Sequence, residues 1–304
     1  MNAVFRIFNY LFRVVLLLPV FYLANYEQSL NPDIINYMND YVNSNWTYDI
    51  GYEAFANLIK SFLNLPFEHF WTLQLIIQIC LLALIFKNYI LLLISYPNLV
   101  FLSETLFGTQ IRFAIGIEIF TLGFLAFKNR KVLSYYLVSI TFHYGILLIV
   151  GTYLYKEYFF KYRTRTGMRI ALQLMVFSIG ALVFSFSIDW IANATRYSYY
   201  VGSRYFEAKS LSSILYVLLF FVIVGYYFFI RKVNSKVIEF SFYILLLILM
   251  TSSFAVVSGR MQIFFFLLEP ILIYSIFHLK RKDDYIIGSF LLVVSLTKFI
   301  GFYI

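Results

Sequence analysis

SYYLVSITFHYGILLIVGTYLY, residues 134–155, runs between Lys131 and Lys156 and carries His143 near its middle. An apolar stretch of this length reaches across the roughly 30 Å hydrocarbon core of a bilayer as a helix. Yet Phe142-His143-Tyr144-Gly145 interrupts it, leaving two halves that as helices rise only about 18 Å each. Broken backbone persists at membrane depth only where protein buries it or where it lines a wet cavity. The interruption predicts a re-entrant or tilted hairpin with His143 at its tip; the alternative is one continuous kinked helix with a hydrogen-bonded interior histidine.

The rest of the chain makes that setting a membrane. Of 304 residues, 62% are hydrophobic and only 13% are charged, too little polar surface to coat a water-soluble globule. Apolar runs recur at about 8–25, 70–86, 89–107, 111–127, 132–155, 170–190, 211–230, 238–257, 262–277 and 285–302. This predicts an all-α polytopic membrane protein with about ten transmembrane helices, forming one transmembrane domain over 1–304. The first run is read as an uncleaved helix rather than a signal peptide. Cys80 stands alone and offers no disulfide framework.

Charge sets the orientation. Lys87, Lys128/Arg130/Lys131, the block Lys156 to Arg169, Arg231/Lys232/Lys236 and Lys280 to Lys282 lie between apolar runs, as cytoplasmic loops do. Such short clusters point to loops rather than to nucleic acid. Segment 26–69 carries Glu27, Asp33, Asp40, Asp49, Glu53 and Glu68 against Lys60 alone, and is expected outside. With a cytoplasmic N terminus, an uninterrupted span at 132–155 would export the block after it. The hairpin at His143 removes that conflict.

Under this topology Arg112, Arg196, Arg204 and Arg260 gather on the outer face. Guanidinium groups around a cavity suit a phosphate-bearing substrate; singly, each also fits an interfacial arginine paired with Glu104, Asp189 or Glu207. In segment 26–69, Asp33, Tyr37, Asp40 and Tyr41 share one helix face. Tyr52, Phe55, Ile59 and Phe62 form an apolar stripe, with Glu53, Asn57 and Lys60 on another face. Two short interfacial helices are expected, the second capped by Asp49 or Thr47. Aromatic and carboxylate faces suit sugars, which makes Tyr37, Tyr41, Tyr52 and Glu53 candidate sugar contacts, although tyrosines also simply favour the headgroup level. No phosphate-binding glycine loop, HExxH or GxSxG occurs. His69, His143 and His278 are too dispersed for a metal site, and neither metal nor cofactor is expected.

Asp33-x3-Tyr37-x3-Tyr41, Asp49-x-Gly51-Tyr52, "QIRFAIGIEIF" (110–120), "FHYGILLIV" (142–150) and Arg260 opening a late helix follow one another in order. Together they resemble the EpsG-type branch of the Wzy bacterial polysaccharide polymerases, over roughly 26–275. The resemblance implies a fold similar to GT-C glycosyltransferases and a place in the bacterial plasma membrane. It implies transfer of a growing glycan from one undecaprenyl pyrophosphate carrier onto the lipid-linked repeat unit on another, at the outer face, with a chain-length regulator as a partner. In that chemistry the arginines stabilise the departing pyrophosphate. His143, and after it Asp33 and Asp49, are the candidates to take the acceptor hydroxyl proton.

A flippase for the same lipid-linked glycan would also use a cationic cavity, and a membrane polysaccharide O-acyltransferase would also use His143. The first normally carries internal repeats, which this chain lacks; the second draws its acyl donor from the cytoplasm.

Overall fold

The computed structural model describes residues 3–26, 32–45, 48–126, 132–160, 167–193 and 210–303. Among these every regular element is helical: α1 (Ala3–Tyr26), α2 (Pro32–Asn43), α3 (Ile50–Leu63), α4 (Phe67–Ile85), α5 (Tyr89–Leu102), α6 (Ile111–Ala126), α7 (Val132–Phe142), α8 (Ile146–Phe160), α9 (Gly167–Asn193), α10 (Leu211–Gly225), α11 (Lys236–Met250), α12 (Ala255–Phe277) and α13 (Lys282–Tyr303). Helical π-turns extend α5 through Ser103–Phe107 and α10 through Tyr226–Ile230. The expected spans overlap helices, but 132–155 is divided between α7 and α8, and 238–257 runs past the end of α11 into the start of α12. Four stretches are long and apolar enough to cross a membrane unaided: Val4–Leu23, Phe67–Ile85, Leu211–Ile230 and Ala255–Phe277. Others are shorter, as α6 with 16 residues and α11 with 15, so the expectation of ten full spans is met only in part. The interruption at His143 is present: α7 has 11 residues and α8 has 15.

The chain divides into two compact units, residues 1–150 with 286–304, and residues 151–285. In the first unit α1 lies along α4. Arg13 donates from Nε to the Ala83 carbonyl and from Nη1 to the Lys87 carbonyl, both at 3.1 Å. An arginine inside an apolar helix thus satisfies the orphan carbonyls at the α4 C-terminus, where positive charge is favoured. At the far end of α1, Phe21 stacks on Phe107 at 5.1 Å. The start of α1 and Lys87 therefore share one end of this unit, and Phe107, α2, α3 and the start of α6 share the other.

At that second end α2 and α3 are tied together. Lys60, the one base of segment 26–69, donates to the Tyr41 and Val42 carbonyls at 2.6 and 3.0 Å and to Ser44 Oγ at 2.8 Å. It closes the C-terminus of α2. Tyr41, expected to face sugar, is turned into the packing: it stacks on Phe70 at 4.5 Å and donates to the Leu65 carbonyl. The other end of α3 crosses α7 at Gly51, where an added Cβ would lie 2.3 Å from Thr141 Oγ1 and 2.9 Å from its backbone carbon. Ser139 and Ile146, on either side of the His143 break, both reach Gly116 of α6.

The second unit is packed with aromatic rings, among them Phe228 on Phe242 at 4.9 Å. Several of its charged side chains are paired. Buried Asp284 accepts from Tyr227 at 3.0 Å and pairs with Arg231 at 3.2 Å. Lys156 binds Glu157 at 2.8 Å and Glu239 at 3.7 Å, and Tyr216 of α10 donates to Glu269 of α12 at 2.7 Å.

Candidate active site

Asp49 occupies the N-cap position of α3, as the sequence suggests, but its side chain makes no capping bond. It points instead into the first unit, where it is 1% exposed. Its Oδ2 pairs with Nη1 of Arg112, and its Oδ1 accepts the Tyr144 backbone N–H at 3.2 Å. One carboxylate thus joins the outer helices, the first turn of α6 and the break between α7 and α8. Burial of a carboxylate is tolerable here because a cation and a backbone donor satisfy it.

Arg112 is held on three sides. Beyond Asp49, its Nε donates to the Tyr37 hydroxyl at 2.9 Å, and its guanidinium lies 4.1 Å from the centre of the Tyr48 ring. The rings of Tyr37 and Tyr52 stand at 5.6 and 5.9 Å. Cation–π contact with three tyrosines compensates the charge without occupying its N–H groups. Nη2 makes no hydrogen bond to a described residue, and the side chain keeps 17% exposure. The result is an arginine whose plane is locked while one edge remains available to an anion.

The tyrosines are firmly neutral. Burial raises the Tyr37 hydroxyl above its ordinary value of 10.0 and that of Tyr52 well above it. Tyr48 is raised as well, first by burial and then by its hydrogen bond to Asp40. Tyr37 accepts from Arg112 and so keeps its own proton to donate.

His143 is buried beside this cluster, its ring meeting the Phe113 edge at 5.1 Å. The Gly145 backbone N–H donates to its Nδ1 at 2.9 Å. The neutral ring therefore carries its proton on Nε2. Asp33, at the first turn of α2, is exposed and close enough to Tyr37 to act on it electrostatically.

Of the residues singled out from sequence, Tyr37, Asp49, Tyr52, Arg112 and His143 come together here. Glu53 sits half-buried in the first turn of α3. Arg260 lies in the second turn of α12, near the start of a late helix as expected, half-buried and in the other unit. Arg196 and Arg204 lie outside the described residues. Sequence reasoning passed over Tyr48, Phe113 and Thr141; adjacency to Asp49 was the only signal for Tyr48. Among the described residues no three His, Cys, Asp or Glu side chains converge as a metal site would require.

A family model described as the EpsG family matches residues 9–304, nearly the whole chain. The chain belongs to the EpsG family. The match extends beyond the 26–275 of the sequence resemblance, taking in α1 and α13. An EpsG-family chain built of apolar helices is a multi-pass membrane protein of polysaccharide biosynthesis. No curated protein and no solved structure matches the chain.

Proposed function

We propose that this EpsG-family protein is a polysaccharide polymerase. It joins undecaprenyl-pyrophosphate-linked oligosaccharide repeat units at the outer face of the bacterial plasma membrane, with the chain's N terminus cytoplasmic. The observation that carries the reading is the state of Arg112: fixed by Asp49, Tyr37 and Tyr48, with its Nη2 edge uncommitted. It lies at the end of its unit opposite Arg6 and Lys87, the end that the positive-inside rule assigns to the exterior.

In the reaction the bond between the donor sugar's anomeric carbon and the pyrophosphate oxygen breaks, and its electron pair leaves on phosphate. The acceptor hydroxyl oxygen forms the new glycosidic bond and gives up its proton to a base. Arg112 meets the charge that grows on the leaving group, and a preoriented cation does this without reorganisation. Tyr37 and Tyr52, as neutral donors, and Glu53 would bind sugar hydroxyls.

The contacts support a different division of roles among the three acid–base candidates. Asp49 is committed through both oxygens and acts by positioning Arg112. The Gly145 N–H occupies Nδ1 of His143, the nitrogen that would take a proton, so the ring suits donation to a developing oxyanion better than proton acceptance. Asp33, the exposed carboxylate, takes the acceptor proton. The test is Arg112→Ala in the native host, with extracted glycans run beside wild type and membrane levels checked by a tag. Single repeat units on carriers at normal protein level are expected. An unchanged ladder overturns the reading, units trapped inside indicate a flippase, and full-length polymer lacking acyl groups indicates an acyltransferase.

A further inference from the structure

At the end of the first unit opposite the Arg112 cluster, two cations stand together. Arg13 of α1 donates from Nη1 to the carbonyl of Lys87 itself at 3.1 Å, which brings the guanidinium up to the residue that carries the ammonium. Neither group pairs with a carboxylate among the described residues. Arg13 uses Nε and Nη1 on the carbonyls of Ala83 and Lys87. Its Nη2 and the Lys87 ammonium have no partner among the described residues. Lys87 is exposed and Arg13 half-buried, so both can be reached from outside the protein.

Polar donors and an apolar seam adjoin the pair. Asn9 lies one turn before Arg13 on the same face of α1. Its Oδ1 accepts from the Tyr89 hydroxyl at 2.8 Å, which leaves the amide N–H groups to donate. Lys87 and Tyr89 flank Asn88, the N-cap of α5, so the positive end of that helix adds to the field. The Tyr89 ring meets Phe12 of α1 edge-on at 5.8 Å, and both rings are part-exposed, at 36% and 47%. One turn farther on, Val15 of α1 and Leu93 of α5 are exposed as well. The two helices stay side by side beyond that level, where Tyr96 donates to the Leu16 carbonyl.

Two cations without an acid, an amide donor and an exposed apolar seam are complementary to a molecule that is anionic at one end and apolar along its length. Guanidinium and ammonium groups bind phosphate oxygens through charge-assisted hydrogen bonds, and basic recesses between membrane helices hold anionic lipid headgroups. A headgroup that carries its own ammonium would be repelled by Arg13 and Lys87, which selects one with net negative charge. We propose that Asn9, Arg13 and Lys87 bind the phosphate of an anionic glycerophospholipid whose acyl chain lies along the α1–α5 seam at Phe12 and Tyr89. The bound lipid fastens α1 to the turn between α4 and α5, and its binding is independent of the polymerase reading.

The test uses full-length protein purified in detergent. Thermal unfolding is followed as phosphatidylglycerol, phosphatidylcholine or inorganic phosphate is added at equal ionic strength and pH. A saturating rise of a few degrees with phosphatidylglycerol alone is expected for wild type, since a ligand bound only to the folded state stabilises it by mass action. The rise should shrink in Lys87→Gln, whose exposed side chain leaves the fold undisturbed, and vanish in the Arg13→Gln, Lys87→Gln double variant. An equal rise with phosphatidylcholine means general solvation by lipid, and an equal rise with inorganic phosphate means a bare anion site; either overturns the proposal. So does an undiminished rise in Lys87→Gln. Should the double variant fail to fold, native mass spectrometry of wild type against Lys87→Gln decides: phosphatidylglycerol retained by the first and lost from the second supports the proposal, and equal retention overturns it.

Discussion

Asp49 and Arg112, 63 positions apart, form an ion pair that fastens the outer helices to the first turn of α6. The same carboxylate takes the backbone N–H of Tyr144, so one side chain sets the position of α3, Arg112 and the His143 turn together. Replacing Asp49 by Ala leaves a buried guanidinium and a backbone donor unmatched. That variant should lose about 3 kcal/mol of stability and all polymer, read by thermal unfolding in detergent and by glycan gels.

Arg112→Lys separates charge from geometry. A lysine retains the charge but cannot hold Tyr37 and Asp49 through a planar fork while presenting a further edge. We expect normal membrane levels and loss of polymer. A ladder of wild-type intensity would mean that charge alone suffices.

Gly51→Val tests the seating of α3. The new side chain would meet Thr141, whose Oγ1 lies 2.3 Å from an added Cβ and whose backbone carbon lies 2.9 Å away. Overpacking of this kind costs about 1–3 kcal/mol. Asp49, two residues earlier, would move with α3, so activity should fall further than stability does. Trimming Thr141 to Ala should restore only part, because the backbone contact remains.

His143→Gln distinguishes the donor role from a base. A glutamine amide can present an N–H but cannot take a proton at neutral pH. Partial polymerisation in Gln, with none in Ala, supports donation through Nε2. Equal loss in both returns His143 to the role of proton acceptor.

The tyrosine cluster predicts an alkaline limit. Tyr37 and Tyr52 have folded-state values raised above 10.0 by burial. Groups of this kind add stability that is fully present below pH 10 and lost as pH rises through the folded value, since the unfolded chain loses its protons first. The unfolding temperature should therefore fall above pH 10, and less steeply in a Tyr37→Phe, Tyr52→Phe double variant.

By itself, the sequence determined the class, the helical character of the apolar runs and the break at His143, because apolar period and length are local properties that the bilayer reads directly. It also placed Tyr37, Asp49, Tyr52, Arg112 and His143 among the candidates, since charge and rings are conspicuous in so apolar a chain. What only the tertiary structure decided is the work each side chain does. Asp49 reads as a helix cap, and becomes an ion-pair partner because α6 brings a guanidinium within reach. Tyr41 reads as a sugar contact, and becomes packing because Phe70 and the Leu65 carbonyl lie beneath it. Glu118 looked like an ordinary member of "QIRFAIGIEIF", and its burial without a partner follows only from how α4 and α7 cover α6. Roles depend on contacts between distant residues, and no local pattern encodes those.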